Sequence, residues 1–436
     1  MRSEWPEVRL GDHVDACLGK MLDVKKNKGT PEPYLGNSNV RWGTFDLVNL
    51  AEMRFEPHEE ERYGLLSGDL IVCEGGEPGR CAIWTGTNSP RMKIQKALHR
   101  IRPKGNLNNY FLYYWFCYAA KAGLLEQHFT GTTIKHLTGK AIAALKIPLP
   151  PIEFQVALVD VLKTLDDCIA LLRETNATLE AIVQALFKSW FVDFDPVHAR
   201  ARGEQPAGLT PEVAALFPDS FEESDLGQVP KGWSTGSLND LALLNPESWT
   251  VKNRPDSVAY VDLANAKENE IAEITEFLFE DAPSRARRVL RDGDTIVGTV
   301  RPGNRSYAFI SNPRPNLTGS TGFAVLRPKQ KAATEYVYLA ATANSSIEYL
   351  AHVADGGAYP AVRPEVVSNL PCVLPSYDVL NAFHAVAAPL FAKVAANHQQ
   401  AQTLANLRDT LLPRLISGQL RLPDAEEQLS EAGLCQ

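Results

Sequence analysis

The sequence holds no uninterrupted apolar run of the eighteen or so residues that a bilayer crossing requires. Met1-Arg2-Ser3-Glu4-Trp5 does not lead into the apolar core of a secretory signal. A cytoplasmic protein with no membrane partner is therefore expected. There is no Cys-x-x-Cys pair. The seven cysteines (Cys17, Cys73, Cys81, Cys117, Cys168, Cys372, Cys435) are scattered without a neighbouring Cys/His cluster, which argues against a zinc or redox centre and reads them as reduced, mostly buried thiols. The signatures of DNA-modifying enzymes are missing as well. No Asn/Asp-Pro-Pro-Tyr/Phe occurs, because Asn245-Pro246-Glu247, Asn312-Pro313-Arg314 and Asp195-Pro196-Val197 all fail at the third position. Gly139-Lys140-Ala141 is not the end of a phosphate-binding loop, and the Pro-Asp pairs at 218, 255 and 423 lack a downstream acid-x-Lys partner. A chain without these constellations is not expected to catalyse anything, nor to hold a cofactor or metal.

What is present is 436 residues of ordinary globular composition, 44% hydrophobic and 22% charged, enough for two to four domains. The net charge of −8 speaks superficially against a nucleic-acid partner, but its distribution does not. Gly79 to Pro150 carries eleven Lys/Arg against the single acid Glu126, and Ala282 to Lys331 carries ten against Asp292 and Asp294. Two basic territories on an acidic chain read either as two electrostatic footprints or as two solvated faces.

The chain also repeats itself. At an offset of 225, Gly68-Asp69-Leu70-Ile71-Val72 returns as Gly293-Asp294-Thr295-Ile296-Val297, Arg102-Pro103-Lys104 as Arg327-Pro328-Lys329, and Leu149-Pro150 as Leu374-Pro375. Each copy has a front of short β-like runs punctuated by turn residues and a back of helical period. Leu158, Leu162, Leu165, Ile169, Leu172, Asn176, Leu179, Val183, Leu186 and Trp190 follow a 4,3 spacing, and Phe383, Ala387, Leu390, Val394, Asn397, Ala401, Leu404, Arg408, Leu411 and Leu415 repeat it. These are heptad seams that should pack on each other. Each has one interior Asn, at different levels of the repeat, and these read as register devices. Pro389 should kink the second helix or mark its effective start. Residues 195–231 form a connector with one short helix at 211–217.

Leu186-Phe187-Lys188-Ser189-Trp190-Phe191-Val192-Asp193-Phe194-Asp195-Pro196 and Thr410-Leu411-Leu412-Pro413-Arg414-Leu415-Ile416-Ser417-Gly418 resemble the two shared helical regions of type I restriction-modification specificity subunits. Ile147-Pro148-Leu149-Pro150-Pro151 resembles that family's entry into the first, and Cys73-Glu74-Gly75-Gly76-Glu77-Pro78-Gly79-Arg80 with Gln95-Lys96-Ala97-Leu98-His99-Arg100 resembles one of its recognition-domain types. The resemblance implies an α+β fold in which two target-recognition domains, at 1–151 and 232–375, are separated by two long antiparallel coiled-coil helices at 152–194 and 376–420. An acidic tail follows at 421–436. It also implies a non-catalytic subunit that reads a bipartite double-stranded DNA target and joins two modification subunits, which use S-adenosylmethionine, to two restriction subunits, which use ATP and Mg. The competing reading is a coiled-coil scaffold without DNA specificity.

Loops rich in Gly, Pro and Asn let a backbone approach DNA, and arginine can pair bidentately with guanine or phosphate. Arg80, Arg301, Asn304 and Arg305 are therefore the first candidate contacts, although tight turns with a solvated arginine would look the same. Arg91, Lys93, Lys96 and Arg100 would position the DNA backbone. Lys135 and His136 lie in one loop, Tyr359 and Arg363 in the loop that coincides with it under the offset, and Asn37, Asn39, Arg41 and Trp42 are weaker candidates that a structural turn also explains. Phe187, Trp190, Phe191 and Phe194 put more aromatic surface on the helix end than a two-helix seam covers. They either face a modification subunit or pack against the connector.

Overall fold

The computed structural model describes residues 5–23, 27–87 and 91–422, so that Cys435 and nearly all of the acidic tail lie outside the described residues. The chain divides into two compact units, one of Met1–Leu171 with Gln400–Gln436 and the other of Leu172–Gln399. Both boundaries fall inside the long helices, Ile152–Phe191 and Tyr377–Ile416, each of 40 residues.

In the first unit Val14–Leu18, Leu98–Pro103, Leu70–Cys73 and Cys81–Ile83 form an antiparallel four-stranded sheet in that order. A second sheet places Thr30–Leu35 between antiparallel Ala51–Phe55 and parallel Lys93–Ile94. Leu70-Ile71-Val72-Cys73 is buried at every position, as suits an apolar run sandwiched on both faces. It is launched by Gly68, whose φ of 94° only glycine adopts without strain.

The second unit repeats this plan. Ala242–Leu244, Phe323–Pro328, Thr295–Gly298 and Tyr307–Phe309 make the four-stranded antiparallel sheet. In its companion, Ser257–Val261 runs parallel to Leu317–Ser320. The match extends to side chains. Arg102 donates to both carboxylate oxygens of Asp69 at 2.7 and 2.8 Å, and Arg327 to both of Asp294 at 2.8 and 2.9 Å. The recurring Arg-Pro-Lys and Gly-Asp motifs are thus two halves of one ion pair, each tying a strand to the turn that precedes its neighbour.

The seam positions are buried or half-buried along both long helices. In the first unit the Arg408 guanidinium donates to Asp166 at 2.5 Å, and Tyr114 donates to the other oxygen of that carboxylate at 2.7 Å. In the second unit Phe383 lies 5.0 Å from Phe191, ring to ring, and Asn397 donates to Asn176 at 2.8 Å, so the two segments run in opposite directions. The repeat alignment sets the asparagines at different levels. Reversing one helix against the other brings them together, 4% and 1% exposed. Asn176 spends its own amide on the Val394 carbonyl at 3.2 Å, while the Asn397 side-chain oxygen has no partner. Asn176→Leu alone should lower stability by about 1–3 kcal/mol by stranding the Asn397 amide, whereas replacing both with leucine should recover that loss while relaxing the register. A double-mutant cycle by thermal melting checks this, and additive losses would contradict it.

The second helix starts at Tyr377, where Ser376 Oγ accepts from the Val379 amide at 3.4 Å, and not at Pro389, which sits exposed within it. A proline facing outward removes one hydrogen bond without ending the helix. This helix contains an interrupted stretch long and apolar enough to cross a membrane. A third of that stretch is buried inside the structure, Phe383 and Val394 among it. The connector holds two short helices, Asp195–Ala201 and Pro211–Ala214, and a hairpin of Phe221–Ser224 with Gly227–Pro230, where the sequence suggests a single helix at 211–217.

Candidate nucleic-acid interface

In each unit the strand after the Gly-Asp turn runs into a loop, and a second loop docks against it. In the first unit Thr130 and His136 exchange backbone hydrogen bonds of 2.9 and 2.8 Å, closing a small hairpin, and the Leu137 amide then donates to Glu74 O at 2.7 Å. In the second unit Asp355 and Ala361 exchange bonds of 3.0 and 2.9 Å, and the Val362 amide donates to Thr299 O at 2.9 Å. All four positions in one unit match those in the other at the offset of 225. The pairing of an arginine loop with a hairpin is therefore a built feature of both units.

The first surface gathers Asn37, Trp42, Glu77, Arg80 and His136. Arg80 donates to Glu77 at 3.1 Å and to Asn37 O at 3.0 Å, and the Trp42 indole donates to the other Glu77 oxygen at 2.6 Å. Glu77 thus holds both. Arg80 is only 16% exposed, so it is pre-positioned rather than reaching into solvent. His136 Nδ1 lies 4.0 Å from Glu74. Arg41 turns back onto Ser38 O at 2.5 Å, and Asn39 onto the Gly36 amide at 2.9 Å, which favours the turn-forming explanation for that pair. Lys96 and Lys135 are exposed and Arg91 is half-buried.

In the second unit the Arg301 guanidinium stacks over the Tyr359 ring at 4.5 Å and donates to Ala358 O at 2.6 Å. Arg305 Nε stands 3.8 Å from Glu268, beside an open hollow of about 480 Å³ lined in part by Lys267, Gly303 and Asn304. Of the eight non-glycine residues with positive φ among the described residues, Glu268, Asn269, Arg301 and Arg305 cluster here. Strained backbone of this kind persists only where the surroundings hold it. Asn269 supplies the hold: its amide donates to Glu180 of the first long helix at 2.6 Å, and its side-chain oxygen accepts from the Phe309 amide at 2.9 Å. Burial pushes the Glu180 carboxyl above its usual range, and the Asn269 bond opposes that. Arg363 is exposed at the start of Pro364–Ser368.

Several expectations are corrected. Lys93 is 1% exposed, ion-paired with Glu60 and with Glu32, and Arg100 is 4% exposed, paired with Asp15 at 2.9 Å. Both lie on strands, buried and with their charges engaged by acids of the same unit. Phe187, Trp190 and Phe191 are 8%, 3% and 4% exposed, in one core with Phe217, Trp233 and Phe383. Phe194 packs at 6.2 Å from Phe221. Phe187, Trp190 and Phe191 are therefore covered within the unit, while Phe194 is half-buried against the connector. Four of the ten cations of the second basic territory, Arg285, Arg291, Arg314 and Arg327, pair with Asp262, Glu247, Glu276 and Asp294. Counting charge within that stretch missed Glu247, Asp262 and Glu276, which come from earlier segments of the chain.

A duplicated α+β protein that presents a comparable arginine-bearing loop surface in each unit is, as a class, a binding protein with two related sites. Residues 2–181 match the family described as the type I restriction modification DNA specificity domain. The chain is 34% identical over 448 residues to the MjaX chain of Methanocaldococcus jannaschii, described as a type I restriction enzyme specificity subunit, covering 96% of this chain and 94% of that one. It is 26% identical to the type I restriction enzyme HindI specificity subunit of Haemophilus influenzae, over 96% of this chain and 100% of the relative. Its fold is shared with the type I restriction-modification S subunit from M. genitalium, at a TM-score of 0.55 and 14% identity, covering 95% of this chain and 96% of that one. The chain belongs to the family of type I restriction enzyme specificity subunits.

Proposed function

We propose that this chain reads a bipartite DNA target, one half with each unit, and itself carries out no chemistry. The observation that carries the proposal is the repeated loop pair, in which one backbone scaffold presents Arg80 with His136 in one unit and Arg301 with Tyr359 in the other. Equal scaffolds with different side chains suit two half-sites of different sequence. The two target-recognition domains, 1–151 and 232–375, are joined by the long helices as an antiparallel coiled coil. A helix of 40 residues spans about 60 Å at 1.5 Å per residue, which is enough to set the distance between half-sites on a duplex repeating about every 34 Å. In the cytoplasm the chain docks two modification subunits, which bring S-adenosylmethionine, and two restriction subunits, which bring ATP and Mg.

The test is to supply a modification subunit and S-adenosylmethionine and map methylated positions. Methylation confined to one split sequence is the expected result, and methylation by the isolated chain would overturn the non-catalytic assignment. Steeply salt-dependent DNA binding separates this reading from a scaffold, which would show none. Arg305→Ala should reduce methylation at sites defined by one half of the target by about tenfold or more while assembly persists, because a lost base or phosphate contact is worth about 1–3 kcal/mol. Unchanged methylation at every site would remove Arg305 from the interface.

A further inference from the structure

The two hairpin tips share one more property. Ile134 and Tyr359 occupy the same position under the offset, and both are large side chains left in solvent, 63% and 72% exposed. The backbone around them is fixed for this purpose. Gly131 and Gly356, again equivalent, have φ of 93° and 117°, and a Cβ on Gly131 would lie 2.2 Å from the Ile134 carbonyl oxygen. Closing the hairpin through that glycine turns residue 134 outward. At Gly356 a Cβ would meet the Tyr359 carbonyl oxygen less closely, at 3.2 Å, in a turn of the same sense.

The neighbours of both tips are cationic. Lys135 is exposed beside Ile134, and Arg301 stacks on Tyr359. A single apolar side chain flanked by positive charge is a poor fit for a protein partner, which would need a broader apolar patch to gain affinity. It is a good fit for a duplex, where cations hold phosphates and one inserted side chain covers a base face that unstacking has exposed. We infer that Ile134 and Tyr359 are equivalent wedges, each lying against a base step in its own half-site and unstacking it. This inference rests on the DNA-reading function proposed above and assigns these two residues the deformation of the target rather than its electrostatic capture.

The experiment uses the full chain assembled with its modification subunit, without methyl donor, on a duplex carrying the target mapped by methylation. 2-Aminopurine replaces one base at a time, the methylated positions excepted. Wild type should brighten at one step in each half. Ile134→Ser should abolish the signal in one half only and Tyr359→Ser in the other only, while Tyr359→Phe retains it. Each serine variant should lose about tenfold in affinity with an unchanged slope of log K against log salt, because no phosphate contact is lost. Lys135→Ala should do the reverse, lowering the slope by about one and keeping the fluorescence. Serine variants that keep both signals would overturn the wedge, as would variants that lose the modification subunit in gel filtration, which would make the tips a protein contact. A wild-type complex with no salt-dependent binding to its own target would overturn DNA reading itself. The tips are exposed, so none of these variants endangers the fold.

Discussion

Arg327→Ala is expected to destabilise the second unit by about 3–5 kcal/mol, the cost of stranding a buried charge. Asp294 has no exposed surface, and Arg327 satisfies both of its carboxylate oxygens. The same guanidinium reaches Glu247 and lies 3.4 Å from Val289 O, so one side chain joins the strand Phe323–Pro328 to two turns. The Arg291 amide remains as a donor to Asp294 at 2.7 Å, which softens the loss without neutralising the charge. For a unit of this size the loss corresponds to a fall in Tm on the order of 10 °C, measurable by calorimetry as an earlier transition. Adding Asp294→Asn should recover part of it, because the stranded group is then neutral. A single mutant melting like wild type would show that water reaches Asp294 and that the pair is dispensable. Arg102→Ala should act in the same sense on Asp69 in the first unit but less strongly, since Arg102 is 32% exposed against 20% for Arg327.

This pair also shows where the sequence was legible. Gly-Asp and Arg-Pro-Lys recur at one offset, and their recurrence was readable; their contact was not, since 33 residues separate the partners within each copy. Heptad spacing gave the helices and their seams because periodicity is local. Whether the asparagines met depended on the relative direction of two segments more than 200 residues apart. The site divides the same way. Arg301 and Tyr359 sit in loops whose glycines and prolines mark them, whereas Lys93 and Arg100 look identical in sequence to solvated cations and are sorted from them only by the acids that fold over them. Glu77, Glu268, Asn269 and Glu180 were missed, because acids and amides that organise a basic loop carry no signature of their own. Ile134 was within reach, as the residue that the offset matches to Tyr359.

Removing one heptad from each long helix at matching levels should abolish methylation of the original target and transfer it to one with a shorter spacer. Seven residues at 1.5 Å shorten each helix by about 10 Å, equivalent to roughly three base pairs. A whole heptad is required because it preserves the seam: the apolar face returns to the same side, and Leu158, Leu162 and Leu165 in one unit and Val183 and Phe187 in the other keep their burial. Removing four residues instead would rotate the seam and should cost assembly rather than alter the spacing. If the helices set the spacing, both half-site sequences persist in the new target and only the unread interval changes, because the reading loops are anchored to sheets that the deletion leaves intact. Methylome sequencing of cells carrying the deleted chain with its modification subunit reads this directly. Retention of the original spacer by a folded, assembled variant would mean that something other than these helices sets the interval.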